Sequence, residues 1–115
     1  MPGCGMSTQY QIVFCTCPDS ESAVRLSHSL VEQRLAACVS QIPGLTSIYP
    51  WQGKIETASE VLLLIKTRAD QWERLQTFLN THHPYELPEI VAVPIVQGSE
   101  AYLRWMSAWL DGSSS

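Results

Sequence analysis

KIETASEVLLLIKT, residues 54–67, is the stretch on which the fold turns. Successive side chains of an extended chain point to opposite sides, so Val61, Leu63 and Ile65 share one face while Leu62 and Leu64 share the other. Both faces are apolar, which marks a strand covered on two sides rather than one lying at the surface. Immediately upstream, PWQG at 50–53 is turn chemistry. Before it, residues 38–49 alternate unevenly through Val39, Ile42, Leu45 and Ile48, and Pro43-Gly44 falls where a bulge or bend would sit. The two segments form an antiparallel hairpin.

Working outward, residues 9–17 are rich in β-branched and aromatic side chains and stop at Pro18-Asp19, the pattern of a first strand. Asp19 or Ser20 caps a helix with Glu21 in its first turn and Val24, Leu26, Leu30, Val31 and Leu35 along it, reaching about residue 37. After the hairpin, Asp70 and Glu73 have capping-box spacing. Trp72, Leu75, Phe78 and Leu79 line one face of a second helix that must end before Pro84. Residues 90–96 form a short apolar strand that Pro94 confines to an edge, and Ser99 caps a last helix to residue 110. The order βαββαβ plus a terminal helix is that of an α+β, ferredoxin-like sandwich, four antiparallel strands with two helices on one face. One domain over 9–111 is expected, with tails at 1–8 and 112–115.

Two helices cover only one sheet face. The strands at 54–67 and 90–96 are apolar on both, as is the first, where Ile12 and Phe14 oppose Val13. A bare apolar face of several hundred Å² is an interaction surface. The last helix carries Tyr102, Trp105, Met106 and Trp109 at helical spacing with Leu103 and Leu110 beside them, a wide stripe for a terminal element. Self-association follows as the expectation.

Composition excludes several classes. The 115 residues suit one domain, and seven Lys and Arg against eleven Asp and Glu, net −4, give no electrostatic footprint for nucleic acid. The longest apolar run, 61–65, is far short of the roughly 18 residues of a membrane span. The start has no basic segment followed by an apolar one, and four cysteines without framework spacing read as reduced thiols, so a cytoplasmic location is expected.

Few residues carry chemistry. Cys15 and Cys17 project from one face about 7 Å apart along the strand, wide for a disulfide and suited either to a shared soft metal or to two small buried hydrophobes. Cys38 reads as core and Cys4 as a tail residue. His82 and His83 end the second helix, where they can answer its negative pole or, with Cys15, bind a soft or borderline ion such as copper or zinc. Tyr85, Glu86 and Glu89 cluster with Pro84 and Pro88 in a rigid loop able to line a cleft or close an intersubunit seam. Lys66 and Arg68 either bind an anion, pair with Glu86 or simply leave the core, and Tyr49, Trp51 and Lys54 at the hairpin serve packing or binding. No nucleophile elbow, phosphate-cradling loop or close carboxylate pair is present, so no enzymatic activity is expected.

FCTCPD (14–19), EQRLAAC (32–38), IPG (42–44), YPWQGK (49–54), KT (66–67), HPYELPEI (83–90), QG (97–98) and YL (102–103) occur in the order seen in the CutA family. The chain resembles these divalent-cation tolerance proteins from about residue 10 to 110. The resemblance implies a cytoplasmic ferredoxin-like homotrimer tied to copper tolerance and copper binding, with ligands falling on Cys15, His82 and His83. It also implies an architecture like that of the PII signalling proteins. A module binding a small molecule or partner protein at intersubunit clefts near Trp51, Lys66, Tyr85 and Glu86 is therefore the alternative reading.

Overall fold

A computed structural model describes residues 9–113; the expected tail at 1–8 and residues 114–115 lie outside them. Strand β1 (Tyr10–Cys17) is followed by α1 (Ser20–Glu32), the hairpin of β2 (Cys38–Trp51) and β3 (Lys54–Arg68), a single 3-10 turn (Ala69–Gln71), α2 (Trp72–His82), β4 (Val91–Pro94) and α3 (Glu100–Leu110). The sheet order is β2-β3-β1-β4, with every neighbouring pair antiparallel. This is the expected ferredoxin-like sandwich.

Burial follows the alternation. Val13, Cys15 and Cys17 of β1 and Val61, Leu63 and Ile65 of β3 pack against Ala23, Leu26 and Leu30 of α1 and Leu75 and Leu79 of α2. Each of the large aliphatic groups stabilises the fold by roughly 1.5–3 kcal/mol on burial. On the other face, α3 covers one end of the sheet: Met106 and Leu110 pack on Ala37 and Tyr10, and the Tyr10 and Ser107 hydroxyls are 2.7 Å apart. Beyond α3, Ile12, Phe14, Leu62 and Leu64 are only half-buried, and Val91, Val93, Tyr102 and Trp105 are exposed.

The hairpin is bulged as the sequence indicates. Ile42 pairs with Leu62 but Leu45 pairs with Glu60, so Pro43 and Gly44 together oppose Val61. Gly44 sits at φ +78°. The extra residue switches the alternation, and from Leu45 onward the odd-numbered residues of β2 share the face of Glu60, Leu62 and Leu64. At the tip, Gln52 and Gly53 both have positive φ, 52° and 82°, giving the two-residue turn whose twist matches the strands.

Three boundaries differ from expectation. Helix α1 stops at Glu32 rather than near 37, because Arg34 adopts φ +59°. The Leu35 N–H then donates to Leu30 O and the Arg34 N–H to Val31 O, the pairing of a Schellman terminus. This releases Ala37 to donate to Lys66 O and start the sheet. The non-glycine residue there is held from outside: the Arg34 guanidinium lies 3.7 Å from the Trp109 ring centre and donates to the carbonyls of Trp109 and Ser113. Asp70 does not cap α2, whose N-terminus has no side-chain cap; it lies in the 3-10 turn and takes both Arg68 N–H groups at 3.0 Å. Strand β4 is shorter than 90–96 and pairs only with β1, since Pro94 cannot donate to the ladder. Ser99 caps α3 as expected, accepting from the Tyr102 N–H.

The Ser22 N–H donates to Asp19 Oδ1 at 2.8 Å, and the Arg68 guanidinium donates to Asp111 at 2.8 Å. These bonds hold both carboxyls below the usual aspartate range. Groups lowered in the folded state contribute fully above their unfolded value, roughly 3.9, and the contribution drains away as pH falls from there through the folded value. Thermal melts across the acid limb should show a shallower loss of Tm for Asp19→Asn combined with Asp111→Asn than for the parent; identical slopes would refute the linkage.

Candidate functional site

The end of β1 and the end of α2 meet. Cys15 and Cys17 lie opposite Leu63 and Val61 in the ladder, on the face that the helices cover. Helix α2 ends at His82, and His83 turns out of it at φ −74°, ψ 142°, the extended conformation that a following proline imposes. That turn carries the His83 ring to the last residues of β1.

Three ligand-capable atoms converge there. The sulfurs of Cys15 and Cys17 and a ring nitrogen of His83 all lie within 4.8 Å of one another, and all three residues are buried. The Tyr85 N–H donates to His83 Nδ1 at 3.0 Å, so Nδ1 carries no proton. Nε2 therefore holds the hydrogen, donating to Thr16 O at 2.8 Å and facing Cys17 Sγ at 3.9 Å. Hydrogen bonds from Cys15 and His83 draw the Cys17 thiol well below its ordinary range, against the opposing cost of burial. The same Cys17 contact, together with burial, pushes Cys15 up. The two thiols titrate as a unit.

The expected trio was Cys15, His82 and His83. The structure brings Cys15 and His83 together but leaves His82 exposed, its ring 4.5 Å from that of Phe78 on the same helix. Helix α2 ends between the two histidines, so the His82 ring stays on the helix surface beside Phe78 while His83 turns inward. Cys17 takes the third place. The 7 Å spacing inferred from the strand holds for the backbone, but the sulfurs lean together, which rotamers decide and spacing does not. Cys38 is half-buried.

Next to this centre, on the opposite face of the sheet, lies a cleft of about 720 Å³ between the β2–β3 hairpin and the loop at 84–89. Thr16, Tyr49, Trp51, Glu60, Tyr85 and Glu86 line it, with Glu89 and Leu87 at the loop. Tyr85 Oη donates to Glu60 Oε2 at 2.6 Å. Burial, with Glu60 beside it, pushes the Tyr85 hydroxyl up, so it remains a donor. Of the residues expected around such a cleft, Tyr49, Trp51, Tyr85, Glu86 and Glu89 are brought together. Lys66 pairs with Ile12 and Cys38 in mid-sheet and lies elsewhere, Lys54 is outside the lining, and Arg68 pairs with Asp70 and Asp111 rather than Glu86. Sequence reasoning missed Glu60; its signal was a lone acid next to the apolar run 61–65, on the same face as Leu62.

The sequence model of the family described as "CutA1 divalent ion tolerance protein" matches residues 11–108. The chain is 48% identical over 93 residues to the mouse "Protein CutA", covering 81% of this chain and 52% of that one, so it spans about half the length of that relative. It is 43% identical over 99 residues to the "Divalent-cation tolerance protein CutA" of Yersinia pestis, covering 86% and 83% of the two chains. Among solved structures, CutA from Xylella fastidiosa superposes with a TM-score of 0.87 at 48% identity, covering 90% of this chain and 99% of that one.

His83 spends both ring nitrogens on backbone groups. His83→Ala should therefore destabilise the fold by about 2–3 kcal/mol by orphaning Thr16 O and the Tyr85 N–H, while His82→Ala changes stability by no more than about 0.5 kcal/mol. Denaturant unfolding checks this, and equal effects of the two changes would contradict the geometry.

Proposed function

This chain belongs to the CutA1 divalent ion tolerance protein family, and from that premise we propose that it is a non-catalytic, cytoplasmic metal-ion-binding protein of copper homeostasis, working as a homotrimer. The observation that carries the reading is the buried Cys15–Cys17–His83 group. Two sulfurs and one imidazole nitrogen form a soft donor set, which favours copper over hard ions such as magnesium or calcium. Those donors fit an ion only after rearrangement: His83 Nε2 must give up its proton and its bond to Thr16 O, and the thiols must ionise. Uptake therefore releases protons and weakens as pH falls.

Association rests on a separate observation. The half-buried row of Ile12, Phe14, Leu62 and Leu64, flanked by exposed Val91, Val93, Tyr102 and Trp105, is an apolar sheet face that one copy of the chain leaves open. A second and third copy cover it; three is the number the family resemblance implies. The reading as a PII-like signalling module is less supported, since the cleft is lined by carboxylates and aromatic rings with no Lys or Arg to hold a phosphate.

Native mass spectrometry under reducing conditions, with copper titrated into metal-free protein, tests both parts. The expected result is a trimer that takes up one copper per chain, with uptake lost in Cys15→Ser and Cys17→Ser and retained in His82→Ala. A monomer removes the assembly; a trimer whose copper uptake survives both cysteine changes removes the site.

A further inference from the structure

We infer that the Cys15–Cys17–His83 group selects a soft monovalent ion, copper in its +1 state, and discriminates against divalent ions such as zinc. The inference rests on the metal-binding reading of this group and names the charge state of the ion it takes. Two features of the group carry it: the number of its donors and their isolation from water.

The group has three donors. Its two sulfurs and the His83 ring nitrogen lie within 4.8 Å of one another, and no fourth Cys, His, Asp or Glu among the described residues joins them. Two metal–sulfur bonds of about 2.3 Å reach across about 4.6 Å, so the sulfurs stand near the separation that one ion bridges. Zinc held by thiolate and imidazole is almost always four-coordinate, and where the protein gives three donors a water completes the set. Copper(II) prefers a tetragonal array of nitrogen and oxygen donors.

Neither completion is open here. Cys15 and Cys17 are 0% exposed and His83 is 8% exposed. The sulfurs are enclosed by this chain's own α1 and α2, through Ala23, Leu26, Leu30, Leu75 and Leu79, so the enclosure is the same in one copy and in an assembly. A water ligand also needs two or more polar partners, and the Thr16 carbonyl and the Tyr85 N–H beside the group are already bonded to His83. A single charge and a filled d shell leave copper(I) satisfied by two or three soft donors, and thiolates select it. Cys17 sets this preference, because without it the group is one sulfur and one imidazole nitrogen.

Anaerobic equilibrium competition on the intact assembled protein tests this, with bathocuproine disulfonate as the competitor for copper(I) and with zinc(II) and cobalt(II) as divalent probes. The expected result is one copper(I) per chain, displaced one for one by silver(I) and not displaced by zinc(II) or cobalt(II) at equal concentration. Cobalt(II) should give no thiolate charge-transfer absorption. Cys15→Ser combined with Cys17→Ser keeps Cys4 and Cys38 and should take up no copper(I), which assigns the ion to this pair. The comparison among metals is made on the unaltered protein, so it does not depend on how that variant folds. Zinc(II) or cobalt(II) bound through the pair as tightly as copper(I) overturns the inference and leaves the metal-binding reading standing. Failure of every ion to bind removes that reading and the inference with it, and copper(I) uptake that survives the double change does the same.

Discussion

A strand that is apolar on both faces has to be covered twice, and the rest of the structure depends on meeting that demand for β3. Its position between β2 and β1 satisfies its backbone hydrogen bonds on both edges. Helices α1 and α2 then remove Val61, Leu63 and Ile65 from water, while Leu62 and Leu64 stay half-buried on the far side. Helix α3 shields only the end of that face near Tyr10 and Ala37. The chain thus completes one core and leaves another half-built, which is the physical ground for reading it as part of an assembly.

The two sites sit back to back across the last turn of β1. Alternation sends Cys15 and Cys17 under the helices and Thr16 into the cleft, while the Thr16 carbonyl receives the His83 Nε2–H. One strand end serves both. His83 and Tyr85 continue the same division from the other side: His83 turns inward to the sulfurs and Tyr85 reaches Glu60, with the Tyr85 N–H fixing the His83 tautomer between them. The thiol–imidazole group and the cleft thus share a few backbone atoms.

Much of the fold was legible because its signals are local. Two-faced apolar strands, the Pro43-Gly44 break, the Gln52-Gly53 turn and the Ser99 cap each act within a few residues, and each stands where reading the chain placed it. The errors came where one particular side-chain contact overrules the simple helix-end pattern. Asp70 has capping-box spacing with Glu73, but the bidentate bond to Arg68 claims it. Helix α1 could have continued, but Arg34 is drawn into a left-handed turn by its contacts with Trp109 and Ser113, far along the chain.

The same division runs through the chemistry. Residue order by itself determined the ferredoxin-like sequence of elements, the surplus apolar face, the side-by-side placement of Cys15 and Cys17 and the family to which the chain belongs, since period and motif are properties of neighbours. Only the tertiary structure decided that Cys17 rather than His82 lies beside Cys15 and His83, and that Glu60 is buried against the Tyr85 hydroxyl. Both outcomes depend on how the end of one helix and one bulged hairpin are oriented against a strand, a matter of long-range packing that no local spacing encodes.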